Sequence, residues 1–310
     1  NLLFKQYINF ISDKNLSHMK EIFSVPELEP ITLFIAENKE KNNKEVKRMS
    51  LEIEKDGRIF TLECIIFQDN SFEISINDVT QETEQNRLKK QLTQNIAHEL
   101  KTPVSSIQGY LETIVNNPEL PREKLDQFLS RSYAQSNRLT HLLSDISLLT
   151  RMEEAPNMTE KETVNLYQMV QNIFNEVTLQ LEEKQIKAQN LLPANLEIQG
   201  NTSLLYSIFR NLTDNAIAYA GKGTTITVRA TKDETFYHFT FADNGVGLAP
   251  EHLPRIFERF YRIDKGRSRK LGGTGLGLAI VKNAVILHGG TISASCGQQG
   301  GLVFHFTLKR

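Results

Sequence analysis

The segment His98-Glu99-Leu100-Lys101-Thr102-Pro103 sets an imidazole beside a carboxylate within a stretch of helical periodicity. A neutral imidazole is a better nucleophile when a nearby carboxylate takes the proton from its other ring nitrogen as the new bond forms. His98 is therefore a candidate nucleophile and Glu99 its base. Zinc chemistry of the H-E-x-x-H kind is excluded, because Thr102 stands where the second histidine is needed. Pro103 cannot donate into the helix ladder and permits a kink there.

Three further segments carry groups suited to a nucleotide. In Arg210-Asn211-Leu212-Thr213-Asp214-Asn215-Ala216, Asn211 and Asn215 lie four apart, on one face of a helix, and amide oxygens are ligands that Mg2+ accepts beside phosphate oxygens. Asp243-Asn244-Gly245-Val246-Gly247-Leu248 leaves a strand. An aspartate there can accept a hydrogen bond from an exocyclic amine such as adenine N6, while Gly245 and Gly247 let the backbone approach a planar base. The run Gly272-Gly273-Thr274-Gly275-Leu276-Gly277-Leu278-Ala279 opens an apolar helix and presents successive N–H groups to phosphate. It is not a P-loop, since Leu278 and Ala279 occupy the Lys and Ser/Thr places. It is not a dinucleotide fingerprint either, since the third glycine counted from Gly273 falls on Leu278.

Ahead of that loop, Ile256-Phe257-Glu258-Arg259-Phe260-Tyr261-Arg262 runs into Lys265, Arg267, Arg269 and Lys270, the makings of a lid with an aromatic anchor and cations for a polyphosphate. Taken singly, each segment also has a plain structural reading: an incidental helical histidine, a polar helix face, an Asp-Asn-Gly turn, a solvated charge run.

The elements that must position these groups can be read from periodicity. From Gln81, Leu88, Leu92, Ile96, Leu100, Ile107, Leu111 and Ile114 recur near heptad spacing. After a turn marked by Pro118 and Pro121, a second stripe runs from Leu125 through Phe128, Leu139, Leu142, Ile146 and Leu149 to Met152. Each helix is about 30 residues, roughly 45 Å, and one-sided, so two such hairpins from two chains are expected to form an antiparallel four-helix bundle. Beyond Glu154 helices are predicted at Asn165 to Glu183 and Asn201 to Tyr219. Strands are predicted at Thr225 to Thr231, Tyr237 to Asp243, Gly290 to Ser295 and Leu302 to Leu308. The N-terminal stretch reads as helical to about residue 46. Strands Met49 to Lys55, Arg58 to Phe67 and Phe72 to Val79 follow, the first two joined by an Asp56-Gly57 hairpin turn.

With 310 residues, 39 % hydrophobic and 24 % charged, the chain has the composition of a folded, multi-module protein. Its 36 basic and 37 acidic residues give a net charge of -1, no field to draw in nucleic acid, so an anionic ligand needs a local site. Cys64 and Cys296 lie far apart and suggest neither a disulfide framework nor a cysteine metal site; a reducing compartment fits. No run of about eighteen apolar residues is present. The start at Asn1, inside the amphipathic run Leu2 to Ile11, suggests a fragment and leaves room for a membrane anchor upstream.

In order and spacing, these motifs over residues 82 to 310 resemble those of the two-component sensor histidine kinases: the phosphoacceptor box at His98, then the N, G1, F and G2 boxes of a Bergerat-type (GHKL) ATP domain. Residues 1–80 resemble the back half of a PAS-type sensory domain. The resemblance implies a multidomain chain: a small α/β PAS-like segment over 1–80, a dimerisation and phosphoacceptor hairpin over 81–154, and an ATP-binding α/β sandwich over 155–310 whose helices cover one face of a mixed sheet. It implies Mg-ATP as the phosphoryl donor, Asn215 as the main Mg2+ ligand with Asn211 nearby, and Asp243 reading adenine. Tyr219, Arg262, Thr274, Gly275, Leu276 and Gly277 would lie near the nucleotide. It further implies a homodimer, a response-regulator receiver domain as partner, and a phosphatase role for Thr102 within Glu99-x-x-Thr102.

One position departs from the pattern. Members of the family often carry Lys or Arg three residues after the Mg2+ asparagine, and here Ala218 stands there, so Lys265, Arg267 or another basic side chain compensates or the kinase is slow. Two rival readings remain. A hydrolytic ATPase of the same fold activates water with a glutamate four residues before Asn215, and that place is Asn211. A nucleotide-sensing scaffold without catalysis rests on Ala218 alone.

Overall fold

The computed structural model of the chain describes residues 2–16, 18–39, 45–154, 160–263, 273–297 and 300–310. They form two compact units, Asn1–Gln94 and Asn95–Arg310. In the first, helices α1 (Leu2–Ser12) and α2 (Glu29–Lys39), separated by short 3-10 turns, precede strands β1 (Lys47–Lys55), β2 (Arg58–Ile66) and β3 (Phe72–Asp78). The strands pair antiparallel in the order β1-β2-β3. Alternation decides the buried face: Phe60, Leu62, Cys64 and Ile66 of β2 point one way and pack with Ile8 and Ile11 of α1 and Ile31 of α2. Asp56 and Gly57 close the β1–β2 hairpin with φ of 48° and 74°, the double left-handed geometry of a type I′ turn.

Helix α3 (Thr80–Val115) starts in the first unit and runs on into the second, where it is followed by α4 (Arg122–Glu154). The α3 helix passes through the buried Pro103 without interruption. Around that point hydroxyls cap carbonyls one turn back: Thr102 Oγ1 donates to the His98 carbonyl at 3.2 Å and Ser106 Oγ to the Thr102 carbonyl at 3.0 Å.

The remainder is an α/β sandwich built from β4 (Glu162–Asn165), α5 (Leu166–Glu176), α6 (Thr178–Glu183), β5 (Lys187–Asn190), β6 (Glu197–Gly200), α7 (Thr202–Tyr219), β7 (Thr225–Lys232), β8 (Phe236–Asp243), α8 (Gly277–Leu287), β9 (Ile292–Cys296) and β10 (Leu302–Lys309). Five strands form a mixed sheet in the order β5-β7-β8-β10-β9, parallel between β5 and β7 and antiparallel elsewhere; β4 and β6 pair separately. Its apolar face, Ile226, Val228, Phe239, Phe241, Phe304, Phe306 and Leu308, is buried under α5, α7 and α8. Phe239 and Phe306 stack with centroids 4.9 Å apart, and Phe209 of α7 sits edge-on to both. Leu142, Leu149 and Met152 of α4 join the same core, and α4 packs on α8.

The expected mixed sheet with helices on one face is present. Where one helix over Asn165 to Glu183 was expected, α5 and α6 are separated at Val177, whose φ and ψ of -103° and 12° leave the helical region. The β-branched pair Val177-Thr178 stands at the break, and the Thr178 hydroxyl donates to the Phe174 and Asn175 carbonyls. Asn165 and Asn201 are the N-caps of α5 and α7, accepting from the backbone N–H groups of Gln168 and Leu204.

His288, just after α8, is buried between layers: its Nδ1 meets the Ala284 carbonyl at 2.7 Å and its Nε2 accepts from the Asn201 N–H at 3.1 Å. Burial holds its pKa below the ordinary histidine value. A base with a depressed folded pKa favours the unfolded chain as pH falls below about 6.5, by up to about 1.4 kcal/mol per pH unit until the folded pKa is reached. The thermal midpoint is therefore expected to fall between pH 7.5 and 5.5, and His288→Gln, which keeps one donor and one acceptor, is expected to shallow that slope. Equal slopes in melts of the two proteins would contradict the assignment.

Candidate active site

Two groups of residues stand out in the second unit. The first is on the helical hairpin. His98 projects from α3 with its side chain 69 % exposed, and its Nδ1 lies 4.0 Å from Glu99 Oε1. The other Glu99 oxygen meets two guanidinium groups: Arg138 of α4 at 3.2 Å and Arg262, from the segment after β8, at 3.6 Å. Thr102 lies one turn beyond His98, its hydroxyl turned to the His98 carbonyl.

The second group lines the end of the sandwich. Asn211 and Asn215 lie on one face of α7, as their spacing requires. The Asn211 amide donates to the Ser207 carbonyl at 2.8 Å, and its Oδ1 abuts the first residue of α8: a Cβ on Gly277 would lie 2.5 Å from it. Among the described residues nothing is hydrogen-bonded to the side-chain amide of Asn215, which is half-buried. Tyr219 closes α7, half-exposed. At the end of β8, Asp243 Oδ1 accepts from the N–H of Gly245 at 2.9 Å and, more weakly, of Leu302 at 3.4 Å. Among the described residues Oδ2 has no hydrogen-bond partner. Burial raises the Asp243 pKa, with the two backbone donors working against it. Gly247 follows with φ of 73°.

The glycine loop is described from Gly273 onward. Arg262 donates to the Gly273 carbonyl, and the Phe260 N–H to the Gly275 carbonyl at 2.8 Å, so the segment before the loop is tied to its far side. Leu276 is buried and its N–H meets Thr274 Oγ1 at 3.2 Å. Thr274 in turn donates to Asp145 of α4 at 2.7 Å. Burial raises the Asp145 carboxyl, opposed by that bond and by His141. Tyr261 is anchored: its hydroxyl is 2.7 Å from His252 Nδ1 and the Arg255 guanidinium lies 4.3 Å over its ring. Lys265, Arg267, Arg269, Lys270 and Gly272, which the sequence set in the lid and loop, lie outside the described residues.

A nucleotide fits this end of the sandwich chemically. It offers a carboxylate with one oxygen fixed by backbone and the other unengaged, an unengaged amide one helix away, and a helix N-terminus that admits no Cβ at Gly277. Arg138 and Asp145 were not singled out from the sequence. The signal was there: Arg138, Leu142, Asp145, Leu149 and Met152 form an i, i+4, i+7 line on α4, so the two charges interrupt a stripe that is otherwise buried.

A phosphoacceptor-type hairpin joined to a sandwich of this topology defines a class, and comparison with known families agrees. Residues 88–155 match the His Kinase A (phospho-acceptor) domain, and residues 200–310 match the histidine kinase-, DNA gyrase B- and HSP90-like ATPase family. The chain belongs to the two-component sensor histidine kinases. It is 34 % identical over 234 residues to the phosphate regulon sensor protein PhoR of Pseudomonas aeruginosa, covering 74 % of this chain and 53 % of PhoR. It is 28 % identical over 269 residues to the sensor histidine kinase WalK of Bacillus subtilis, covering 84 % of this chain and 44 % of WalK. The chain thus spans about half the length of these relatives. In fold it resembles the histidine kinase ThkA in a complex with a response regulator protein, with a TM-score of 0.55, 19 % identity, and coverage of 98 % of this chain and 90 % of that one. Among the described residues no helix is long and apolar enough to cross a membrane.

Proposed function

We propose that the chain is the kinase portion of a membrane-anchored bacterial sensor, facing the cytoplasm, that phosphorylates His98 from Mg-ATP and passes the phosphoryl group to an aspartate of a response regulator. The observation that carries this reading is the setting of His98: an exposed ring whose Nδ1 faces a carboxylate, so that Nε2 is the nitrogen that remains to attack. The Nε2 lone pair attacks the γ-phosphorus in line, the bond to the β-phosphate oxygen breaks, and ADP departs with that electron pair. The Nδ1 proton moves to Glu99, so the product is a phosphohistidine neutral at the other nitrogen. Asp243 accepts from the adenine amine, and Gly245 and Gly247 let the base approach. The loop Thr274, Gly275, Leu276 and Gly277, with Arg262 and Tyr219, faces the phosphates and ribose. Asn215, with Asn211 beside it, would hold Mg2+, which neutralises phosphate charge when bound.

The domains are then a PAS-like sensory segment over 1–80, a phosphoacceptor hairpin over 81–154 and an ATP-binding domain over 155–310. The hairpin pairs with that of a second chain, since Val104, Leu111, Leu129 and Leu143 stand exposed on its two helices. The same helix serves regulator dephosphorylation, with the Thr102 hydroxyl released from the His98 carbonyl to orient a water. A regulator as partner is supported by the fold likeness to ThkA, which is seen with one.

The test is incubation with γ-labelled ATP and Mg2+. Label is expected on the protein, stable to base and lost in acid, and Asn215→Ala is expected to reduce it at least tenfold at sub-saturating ATP. Tight ATP binding with no label on the chain would favour the scaffold reading instead.

A further inference from the structure

We propose that Arg138 is a positioning residue for phosphorylation of His98, acting through Glu99; the inference rests on the kinase reading above. Three buried charges meet at this point. The Glu99 side chain is 13 % exposed, Arg138 9 % and Arg262 6 %, beside an imidazole that is 69 % exposed. A carboxylate this far from water needs a constant counter-charge, and removing one partner of such a cluster leaves the rest mispaired.

The two arginines are not equivalent. Arg262 lies in the segment that precedes the glycine loop and also donates to the Gly273 carbonyl, so its hold on Glu99 depends on the conformation of nucleotide-facing backbone. Arg138 sits in the middle of α4, in a line of residues packed in the core, and reaches Glu99 from the neighbouring helix whatever that segment does. It engages Oε2 at 3.2 Å, and this leaves Oε1 as the oxygen that faces His98 Nδ1. Arg138 thus performs two tasks. It fixes which carboxylate oxygen is presented to the imidazole, and it holds Glu99 in place from α4 independently of Arg262. Without it, Glu99 would rotate toward Arg262 and withdraw Oε1 from the ring.

The proposal predicts a rate effect that passes through Glu99 and not through nucleotide affinity. In autophosphorylation of the full chain with γ-labelled ATP, Arg138→Gln is expected to lower kcat about 10- to 100-fold, part of what a general base supplies, with the KM for ATP within about twofold. Arg138→Lys, which keeps the charge but not the fork, is expected to recover part of the rate. In a double-variant cycle, Arg138→Gln added to Glu99→Gln is expected to cost little beyond Glu99→Gln alone. If Arg138→Gln melts below the assay temperature, the same cycle is run with Arg138→Lys. An unchanged kcat, or an equal fold-loss from Arg138→Gln with and without Glu99, would overturn the proposal while leaving the kinase reading intact. Absence of label on the unmodified chain would instead remove the kinase reading on which it rests.

Discussion

The His98→Gln chain is expected to bind ATP as tightly as the unmodified one and to take up no label. The two halves of that expectation come from different parts of the structure. In the proposed function, nucleotide affinity resides at the end of the sandwich, in Asp243, Asn215 and the loop that opens α8, and the His98 ring points to solvent from α3, outside that set. In the same proposal the chemistry resides in Nε2 alone. Glutamine is an acceptable helix residue of similar reach, so α3 keeps its packing, but its amide nitrogen has its lone pair in resonance with the carbonyl and cannot attack phosphorus. The loss is therefore expected to reach the background of the assay, more than about 10³-fold, where removal of an assisting group leaves a residual rate. Titration calorimetry with a non-hydrolysable ATP analogue, run beside the labelling assay, separates the two halves. Label persisting on His98→Gln would place the acceptor elsewhere, and weakened binding would mean that the helix lines the pocket.

The parts of this site that were legible in the sequence share one property: they are local. His98-Glu99, Asn211 with Asn215, Asp243 to Gly247 and the Gly273 to Gly277 loop are each set by chemistry within five residues, and each was placed on its helix, strand end or loop from spacing alone. The strands β7, β8 and β10 were equally clear because alternation survives when one face of a sheet is buried and the other is wet: Ile226, Val228, Phe239, Phe241, Phe304 and Phe306 alternate with polar neighbours.

What sequence periodicity could not reveal is tertiary. The four-residue strands β4, β5 and β6 are too short to show a period, and their pairing joins residues up to 38 positions apart, as Glu162 with Gly200. Arg138 meets Glu99 across 39 residues and Asp145 meets Thr274 across 129. From the stripe alone, a charge on α4 reads as an interruption, and only the fold supplies the partner that makes its burial tolerable. The turn from β8 to α8 was similarly opaque. Phe260 adopts φ of 61°, a conformation that its side chain disfavours and that the bond from its N–H to the Gly275 carbonyl holds in place.

For Asp243→Asn the expected result is a loss of ATP affinity of about 30- to 1,000-fold, with the fold retained. The side chain is already half committed: Oδ1 receives the N–H groups of Gly245 and Leu302, and an asparagine carbonyl can receive both equally well. That fixes the orientation of the new amide, because the flipped form would turn its NH2 against those two backbone donors. The NH2 must then occupy the place of Oδ2, where in the proposed function the adenine amine needs an acceptor, and donor meets donor. A charge-assisted hydrogen bond of about 1.5–3 kcal/mol is lost, and a mismatch replaces it that costs only about 1 kcal/mol because the site is half-buried, so a net loss near 2.5–4 kcal/mol falls within the stated range. Burial also holds the wild-type carboxyl above its usual pKa, so protonation on acidification reaches it earlier than an exposed aspartate and weakens binding from the same cause. The Asn variant cannot titrate, and its residual affinity for an ATP analogue is expected to lack that acid limb. A variant that bound with wild-type affinity would show that the base is read by some other group, whereas one that failed to melt cooperatively would show that the bonds to Gly245 and Leu302 need the charge.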